Sequence, residues 1–582
     1  RAITVFLARR VHTMEPALPE AEAVAVRDGR IVDVGTLDTM RPWLDRNDHV
    51  IDDTYADRVL LPGFIDPHLH PSMAAILLPM HFTTALPWDL PWEEVQAVRT
   101  PEAFRARLAD LHARLPGDEP LFAWGHHPIW HGDIDRAALN ELSTTRPIVV
   151  WHRGYHSLIV NDACLQWMEL DLDAAARHPQ IDLDRGAFFE NGLAVANRQF
   201  RPHILDPDRF RGGLERMRQV IHRGGHTTIG DAAVGMYGLD QEWEHLTAVM
   251  EQPTTPFRLQ LMPMAGRPRR DPDGGDPGDA MAAWLARLRE RNTHRLRFSD
   301  HVKLFADGGF FAELMMLSPP GYLDGHEGEW LTPPPIFDEM AEAAWRAGLR
   351  IHVHTTGDLG VELALSTLER LQRDYPRNDH RFCFEHFGIS TPEQVQRMAR
   401  AGAVASVNVY YVHELARAFA DHTIGYERAS QMSRLGSLER EGIPFALHSD
   451  FTMAPARPLY NAWVAANRIC ESGEVMAPPE RASLSAAMRA VTINAAHVLG
   501  LEAEIGSLRA GKWADLVALD ADPFEVGAEG LADIEVTGTI FEGRVFERGA
   551  LSSAASSSDA LSSAGTGGSG GVEERADGTV AS

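Results

Sequence analysis

Residues 62–70 read Pro-Gly-Phe-Ile-Asp-Pro-His-Leu-His, a short apolar run that ends in two histidines. Side chains at positions i and i+2 of a β-strand point to the same face, so His68 and His70 can reach a single metal ion. On its own this spacing is a weak signal in a chain with 27 histidines, because two histidines that form hydrogen bonds in a loop explain it as well. Its interpretation therefore depends on the rest of the chain.

Apolar runs recur along the chain after the first one at 61–66, and helix-compatible segments such as 333–348 and 391–402 separate most of them. The seven later runs lie at 226–231, 257–263, 301–306, 350–355, 381–386, 403–408 and 444–450. Eight strands that alternate with helices predict an α/β fold, a (β/α)8 TIM barrel with its active site at the carboxyl ends of the strands. A doubly wound open sheet is the alternative, but no glycine-rich phosphate loop follows any run.

Both ends of the chain consist of short alternating runs separated by turn residues such as Asp28-Gly29. They predict one composite β-sandwich domain, because neither end alone could bury a core; two independent β-units are the alternative. The predicted boundaries are 1–60 and 501–550 for the two sandwich parts, 61–80 for barrel strand 1, 81–214 for an insertion that roofs the active site, 215–500 for the rest of the barrel and 551–582 for a disordered Ser/Ala/Gly-rich tail.

Four of the later runs end in residues that bind metals or transfer protons, namely Lys303, His354, His386 and Asp450. In a barrel all four would lie on the face where such enzymes place their active sites. Each has an ordinary alternative, such as a surface charge for Lys303, a core histidine for His386 or a helix cap for Asp450. Lys303 is one of only two lysines among 55 basic residues, which favours a role that needs a primary amine. Taken together, these residues predict a metal site.

Several motifs resemble those of the amidohydrolase superfamily, and within it the branch that contains N-substituted formamide deformylases (amidohydrolase family 3). The resemblance covers most of residues 1–550. The motifs that carry it are PGFIDPHLH (62–70), VKLFADGG (302–309), HTTGD (354–358), FEHFG (384–388), HSD (448–450) and GSLRAGKWADLVALD (506–520).

This resemblance implies a centre of two divalent metal ions. It assigns one ion to His68 and His70 and the second to the next two histidines, and it makes the last aspartate a ligand and a proton shuttle. The implied metal ligands are thus His68, His70, Lys303, His354, His386 and Asp450. Lys303 would be carboxylated by CO2 and bridge the ions, which requires a neutral amine that arginine cannot supply. Zn2+ suits these nitrogen and oxygen donors best, with Mn2+ or Fe2+ as alternatives.

Three positions leave the ligand set open. His352 shares the inward face with His354, and we select His354 because it directly precedes the Thr-Thr-Gly-Asp turn. His448 stands where a glycine is more usual in the family, which adds an imidazole next to Asp450. Cys383 lies in an apolar run and is expected to be inert, although in some relatives a cysteine replaces the lysine as a ligand.

The insertion contributes further candidates. His156 resembles a family histidine that contacts the substrate carbonyl, and a buried structural histidine is the alternative. Glu190 either lines the pocket or packs, and Asp307 is expected to shape the turn after the Lys303 strand. An aromatic and polar roof is expected from Trp124, His126, His127 and Trp130.

We therefore predict a metal-dependent amidohydrolase that cleaves a non-peptide carbon–nitrogen bond, an amide or formamide, of a small molecule. Asp450 and His156 are the predicted catalytic residues: Asp450 takes the proton of a water activated between the metals and returns it to the leaving amine. A mononuclear deaminase of the same superfamily is the alternative, and it would not need Lys303. A non-catalytic binding protein is a distant alternative, since it would be expected to lack some of the six ligands.

Composition limits the partners. A formal charge of −27 disfavours nucleic acid, and the absence of an apolar stretch of eighteen residues disfavours insertion into a membrane. Three cysteines cannot form a disulfide framework in a chain of 582 residues, which favours a reducing cytoplasm. A homodimer is expected from the superfamily resemblance.

Overall fold

The structure is a computed structural model that describes residues 2–266 and 276–551. The strands of the described residues are, in chain order, β1 (Ile3–His12), β2 (Glu20–Arg27), β3 (Arg30–Gly35), β4 (His49–Asp52), β5 (Val59–Pro62), β6 (Phe64–Leu69), β7 (His81–Phe82), β8 (Trp88–Leu90), β9 (Glu93–Val95), β10 (Leu121–His126), β11 (Ile148–His152), β12 (Ser157–Val160), β13 (Ile181–Asp182), β14 (Ala187–Phe189), β15 (His226–Val234), β16 (Arg258–Pro263), β17 (Leu296–Phe298), β18 (His301–Phe305), β19 (Arg350–Thr355), β20 (Cys383–His386), β21 (Val404–Val407), β22 (Phe445–Leu447), β23 (Leu516–Leu519), β24 (Val536–Phe541) and β25 (Arg544–Glu547).

The α-helices of the same residues are α1 (Leu37–Leu44), α2 (Pro71–Leu77), α3 (Pro101–Arg114), α4 (Pro128–His131), α5 (Arg136–Leu142), α6 (Asp162–Trp167), α7 (Leu172–Ala175), α8 (Asn191–Ile204), α9 (Pro207–Arg223), α10 (Leu239–Met250), α11 (Pro277–Arg289), α12 (Pro334–Arg346), α13 (Asp358–Asp374), α14 (Pro392–Ala401), α15 (Tyr410–Glu414), α16 (Ala416–His422), α17 (Tyr426–Ser430), α18 (Leu435–Arg440), α19 (Pro458–Asn467), α20 (Leu484–Ala490), α21 (Ile493–Val498) and α22 (Pro523–Gly530). Many begin with a side-chain cap, as where Thr391 and Gln394 form a capping box at α14.

The two ends of the chain meet in one mixed sheet of eight strands. Its order is β25-β24-β23-β5-β1-β2-β3, and β4 also pairs with β1. The antiparallel pair of β5 and β23 joins the two ends, with Leu60 opposite Ala518. Leu60, Leu516 and Ile540 are fully buried in the same apolar cluster, so residues from both ends build this core.

Parallel strands fill the middle of the chain. One sheet has the order β17-β16-β15-β6 and the other the order β18-β19-β20-β21-β22, and helices separate most consecutive strands. The molecule is thus a mixed α/β protein, as the alternation of apolar runs predicts. The run at 61–66 needs a correction: it is divided between β5 and β6, because Gly63 separates them, and His68 therefore lies inside a strand.

The two parallel sheets contact each other on both sides. A parallel bridge between Met264 and Lys303 joins the end of β16 to β18. At the opposite edge the backbone N–H of Asp450, just after β22, donates to the carbonyl of His68 in β6 at 2.9 Å. These contacts place the carboxyl ends of β6, β18, β19 and β20 around a common space.

The segment between β6 and β15 has a sheet of its own, with the order β13-β14-β12-β11-β10-β7. Its core contains the fully buried Trp124 and Trp151. Among the described residues no helix is both long and apolar enough to cross a membrane. The predicted disordered tail, from residue 552 onward, lies outside the described residues.

Candidate metal centre

A cavity of about 560 Å³ opens at the carboxyl ends of the parallel strands. All seven residues that the sequence singles out for metal binding or catalysis line it: His68, His70, His156, Lys303, His354, His386 and Asp450. They come from β6, β18, β19 and β20, from the loops after β6 and β22, and from the β11–β12 connection. Residues far apart in the chain therefore meet at one site.

His68, His70 and Asp450 form the most compact group in the cavity. The Nε2 atoms of His68 and His70 lie 3.3 Å apart. Asp450 Oδ1 lies 3.0 Å from His70 Nε2 and 3.6 Å from His68 Nε2. In a tetrahedral zinc site with bonds of about 2.0–2.1 Å, neighbouring donor atoms lie about 3.3 Å apart. The distances among these three atoms are close to that spacing.

Glu385 fixes the orientation of His68 through the ring nitrogen that faces away from the cavity. The sequence motifs did not single it out. Its Oε2 lies 2.6 Å from His68 Nδ1, and its Oε1 lies 2.5 Å from His352 Nδ1. All three side chains are fully buried. Because the Nδ1 hydrogen of His68 goes to the carboxylate, the lone pair of Nε2 is directed into the cavity, the arrangement that metal-binding histidines usually adopt.

Strand alternation hid Glu385. Glu385 and His386 are consecutive and should face opposite sides of β20, so the pattern suggested that only one of them is at the site. His386 has a φ of 68°, in the left-handed region, and it ends the regular strand there. As a result Glu385 bonds to His68, and the His386 ring packs edge-on against His68 with centroids 4.7 Å apart.

His448 joins the histidine cluster, where the sequence had left its role open. Its Nε2 lies 3.3 Å from His386 Nδ1, and its Nδ1 lies 2.7 Å from Ser406 Oγ. His68, His386 and His448 form a second group with ligand atoms within 4.8 Å of one another. A third such group combines His352 and Cys383 with Glu385, whose two oxygens already accept hydrogen bonds from histidines.

His354, rather than His352, faces the cavity. His354 lines it and packs 4.5 Å from the His386 ring, whereas His352 is outside the cavity lining and bonds to Glu385. The position of His354 before the Thr-Thr-Gly-Asp turn thus selects the histidine that reaches the site.

Lys303 lies at the bottom of the cavity with its ammonium group buried. Lys303 is 1% exposed, and within residues 2–266 and 276–551 its Nζ has no hydrogen-bond partner. Burial lowers the pKa of Lys303, while the carboxylates of Glu385 and Asp450 act in the opposite direction. A buried amine without a partner is a costly group, which indicates that the site holds something else next to it.

Burial and nearby charges favour a neutral His68 and an ionised Asp450. Burial, followed by the charge of Lys303, holds the pKa of His68 well below its ordinary value. Burial alone would raise the pKa of Asp450, but the hydrogen bond from His70 and the nearby imidazole of His68 lower it below the usual range. Neutral imidazoles and a carboxylate are the protonation states in which these side chains bind metals.

His156 and Glu190 form an acid–base pair on the wall opposite the strands. His156 Nδ1 lies 2.8 Å from Glu190 Oε2, and the N–H of Gly309 donates to Glu190 Oε1 at 3.0 Å. Burial lowers the pKa of His156, but the Glu190 carboxylate more than offsets this, so the pKa lies above its ordinary value. Both residues line the cavity, and Glu190 is held by both of its oxygens.

Asp307 organises the loops beneath the site, as its place in a turn predicts. Its carboxylate accepts hydrogen bonds from the N–H groups of Thr356, Gly357 and Met316. Burial raises the pKa of Asp307 to about 7. It does not line the cavity and therefore acts on loop geometry.

The expected aromatic roof is wrong. None of its four residues lines the cavity, because they pack inside the insertion. Trp124 is fully buried against Phe82 and Trp88, and His126 packs on Phe104. The sequence pattern shows that these residues cluster but does not show which face of the cluster meets the cavity.

The chain matches the amidohydrolase family over residues 56–546. It is 24% identical over 555 residues to N-substituted formamide deformylase of Arthrobacter pascens, covering 92% of this chain and 96% of that protein. It is 23% identical over 539 residues to Protein LONG AFTER FAR-RED 3 of Arabidopsis thaliana, covering 88% and 86%. Among solved structures, an uncharacterized metal-dependent hydrolase from Pyrococcus horikoshii OT3 superposes with a TM-score of 0.68 at 19% identity, covering 91% of this chain and 99% of that one.

Proposed function

The chain belongs to the amidohydrolase family and is a hydrolase that acts on carbon–nitrogen bonds, and on this premise we propose that it cleaves a non-peptide amide or formamide bond of a small molecule with the help of divalent metal ions. The observation that carries the proposal is the convergence of His68 Nε2, His70 Nε2 and Asp450 Oδ1 within 3.0–3.6 Å of one another. The 24% identical deformylase supports a formamide or amide as the substrate class.

The finer architecture belongs to the same proposal. Contacts on both sides of the two parallel sheets support closure of β6, β15, β16 and β18–β22 into an eight-stranded barrel, with β6 beside β22 and β16 beside β18. The mixed sheet from both termini supports a composite domain beside the barrel. Lining residues from the β11–β12 connection and α8 support an insertion that covers the barrel mouth.

We assign the donors to two ions, most simply Zn2+. His68, His70 and Asp450 would hold one, and His354 and His386 the other, with a CO2-derived carbamate on Lys303 between them. The buried Nζ without a partner and its lowered pKa support this assignment, because only the neutral amine reacts with CO2. When bound, such ions polarise a carbonyl and lower the pKa of water towards about 7. Mn2+ or Fe2+ would bind to the same donors.

The residues of the chain supply the proton transfers and the orientation. Asp450 is ionised and lines the cavity, so its carboxylate can accept a proton from water and return it to the departing amine nitrogen. Glu190 raises the pKa of His156, and in its protonated form His156 can donate a hydrogen bond from Nε2 to the substrate carbonyl oxygen, where negative charge develops. Glu385 holds the His68 ring in its orientation through the bond to Nδ1.

A screen of N-formyl and N-acyl amines, with metal analysis of the same samples, tests the proposal. We expect about two metal ions per chain, activity that is lost with chelation and restored by metal, and a fall in kcat of at least about 100-fold in Asp450→Asn. Lys303→Ala should lose the second ion and most activity, whereas Glu393→Gln, on the exposed surface of α14, should retain both. One ion per chain with full activity in Lys303→Ala would instead favour the mononuclear deaminase, and a wild type that hydrolyses no amide in the screen would contradict the proposal.

A further inference from the structure

Helix α8 provides a long wall of the cavity that the proposed chemistry does not use. Asn191, Ala194, Asn197, Arg198 and Arg201 all line the cavity. They recur at intervals of three or four residues, so they lie on one face of the helix. Among the described residues, Asn197 Oδ1 has no hydrogen-bond partner although the atom is buried in this wall. The wall therefore offers polar groups to something in the cavity.

Arg198 and Arg201 are the unneutralised charges of this wall. The acidic side chains that line the cavity are engaged elsewhere, Glu190 with His156 and Asp450 with His70. In the described part of the chain neither arginine has an acidic partner, although acidic residues outnumber basic ones by 82 to 55 in the whole sequence. Both arginines are exposed, and two cations three residues apart on the same face attract anions.

The guanidinium of Arg201 is held in place by its surroundings. Its Nη2 donates to Gln241 Oε1 at 3.2 Å. Gly238, which also lines the cavity, has a φ of 120°, and a Cβ atom there would lie 2.9 Å from Arg201 Nη2. A glycine at this position thus leaves room for the guanidinium to approach the backbone, while its remaining N–H groups stay available.

The arginines lie at a distance from the proposed reaction centre. Glu190, which bonds to His156, directly precedes α8, and Arg198 follows it by eight residues, or about 12 Å along the helix axis. Helical side chains lean towards the amino end, so the guanidinium groups reach back by several ångströms. The cavity is also lined by methionines, including Met73, Met236 and Met264, which accept flexible apolar groups.

We propose that the α8 wall is a subsite for an oxyanion on the substrate, a carboxylate or phosphate that an apolar spacer of several atoms separates from the amide bond. Arg198 and Arg201 bind the oxyanion, and the methionines contact the spacer. The position of the amide bond in this inference rests on the proposed function, whereas binding of the oxyanion to the α8 wall does not. A local cationic pair is also needed here because a protein with a formal charge of −27 repels anions at long range.

Matched substrates test this subsite. We would compare N-formyl-6-aminohexanoate with N-formylhexylamine, add the phosphonate analogue, and shorten the spacer to three and one methylene groups. The wild type should favour the longer anionic compounds by about ten-fold in kcat/KM, mainly through a lower KM. Comparison of kcat/KM for the carboxylate and the phosphonate then shows which anion the subsite prefers. The Arg198→Gln/Arg201→Gln variant should lose this preference and hydrolyse the neutral compound as before, and the Lys/Lys variant should keep part of it.

Controls separate the two proposals. Arg105→Gln removes an exposed arginine of α3 that does not line the cavity and should keep the preference. Calorimetric titration of the same compounds measures binding even where no turnover occurs. Tighter binding of the anionic compounds that depends on both arginines supports the subsite, even if amide hydrolysis fails. Equal binding of anionic and neutral compounds, or a preference that survives in the Gln/Gln variant, would overturn it.

Discussion

Glu385 accepts hydrogen bonds from two buried histidines at 2.5 and 2.6 Å, and its Oε2 also lies 3.4 Å from His448 Nδ1. Burial alone would raise its pKa, but the neighbouring histidines, His68 foremost, hold it well below the ordinary value. One ionised carboxylate therefore sets the tautomer of His68, the histidine shared by two of the potential metal groups. The orientation of the site depends on this single side chain.

Glu385→Gln should weaken metal binding about 10–100-fold, as loss of a partner behind a metal-binding histidine usually does. The amide keeps the shape of the side chain but presents an NH2 group to one of the two imidazole N–H groups. Competition with a chelator measures the affinity directly. Glu393→Gln is the control, and equal affinities of the two variants would show that Glu385 does not orient the site.

His226 predicts an acid-sensitive fold away from the site. It is fully buried at the start of β15, where burial lowers its pKa to about 4. The unfolded chain binds a proton near pH 6.5 and the folded chain does not, so stability is complete above that pH and falls as the pH decreases towards 4. Between pH 7 and pH 5 this one group should lower the free energy of unfolding by about 2 kcal/mol.

Unfolding of the wild type and His226→Gln at pH 7 and pH 5 measures that contribution. The variant can retain the hydrogen bond to the carbonyl of Ile221 through its amide. We expect the variant to lose less stability than the wild type between the two pH values. The same pH dependence in both proteins would exclude His226 as a cause.

At the scale of the elements, the close contact of α2 and α9 supports the metal-binding loop. Helix α2 begins at Pro71, directly after His70, and its Ala75 carbonyl faces Gly213 of α9. A Cβ atom at Gly213 would lie 2.0 Å from that carbonyl oxygen, which is closer than any real contact. Gly212, one residue earlier, has nothing within 4 Å of such an atom.

These two glycines form a matched pair for mutation. Gly213→Ala should destabilise the protein by about 1–3 kcal/mol through overpacking and reduce metal affinity by displacing α2. Gly212→Ala should be neutral or stabilise by about 0.5–1 kcal/mol, because alanine is the better helix former at an exposed position. Thermal unfolding midpoints test this order, and a reversed order would show that the helices do not pack through Gly213.

The motifs predicted more of the site than of its surroundings. The family and the hydrolase class are confirmed by the match over residues 56–546, and the apolar runs predicted the mixed α/β class. All seven named site residues line one cavity. Glu385 was missed because the positive φ of His386 interrupts the alternation of side chains along β20. The aromatic roof was misplaced because the sequence shows that its residues are buried but not whether they pack within the segment between β6 and β15 or against the cavity. The homodimer and the cytoplasmic location stay predictions.

At the scale of the whole molecule, Arg153 joins the segment between β6 and β15 to the connections that follow β21 and β22. Its guanidinium makes two hydrogen bonds to Glu414, at 2.7 and 2.9 Å, and donates to the carbonyls of Thr452 and Met453. Both charged side chains are 1% exposed. The ion pair therefore attaches the segment between β6 and β15 to α15, and the two carbonyl bonds attach it to the loop that carries Asp450.

Glu414→Gln should cost about 3–5 kcal/mol, because it leaves the Arg153 charge buried without its partner. Asp133→Asn is the control, since its ion pair with Arg185 lies on the surface and should contribute less than about 1 kcal/mol. Chemical unfolding of both variants measures the difference. Equal small effects would mean that the insertion is not held in this way.

Anomalous diffraction at the metal absorption edge, from crystals grown without chelator, tests the metal centre most directly. We predict a peak within about 2.3 Å of His68 Nε2, His70 Nε2 and a carboxylate oxygen of Asp450, and a second peak beside His354 and His386. A catalytically active crystal with metal bound only away from these side chains, or with none, would contradict the account.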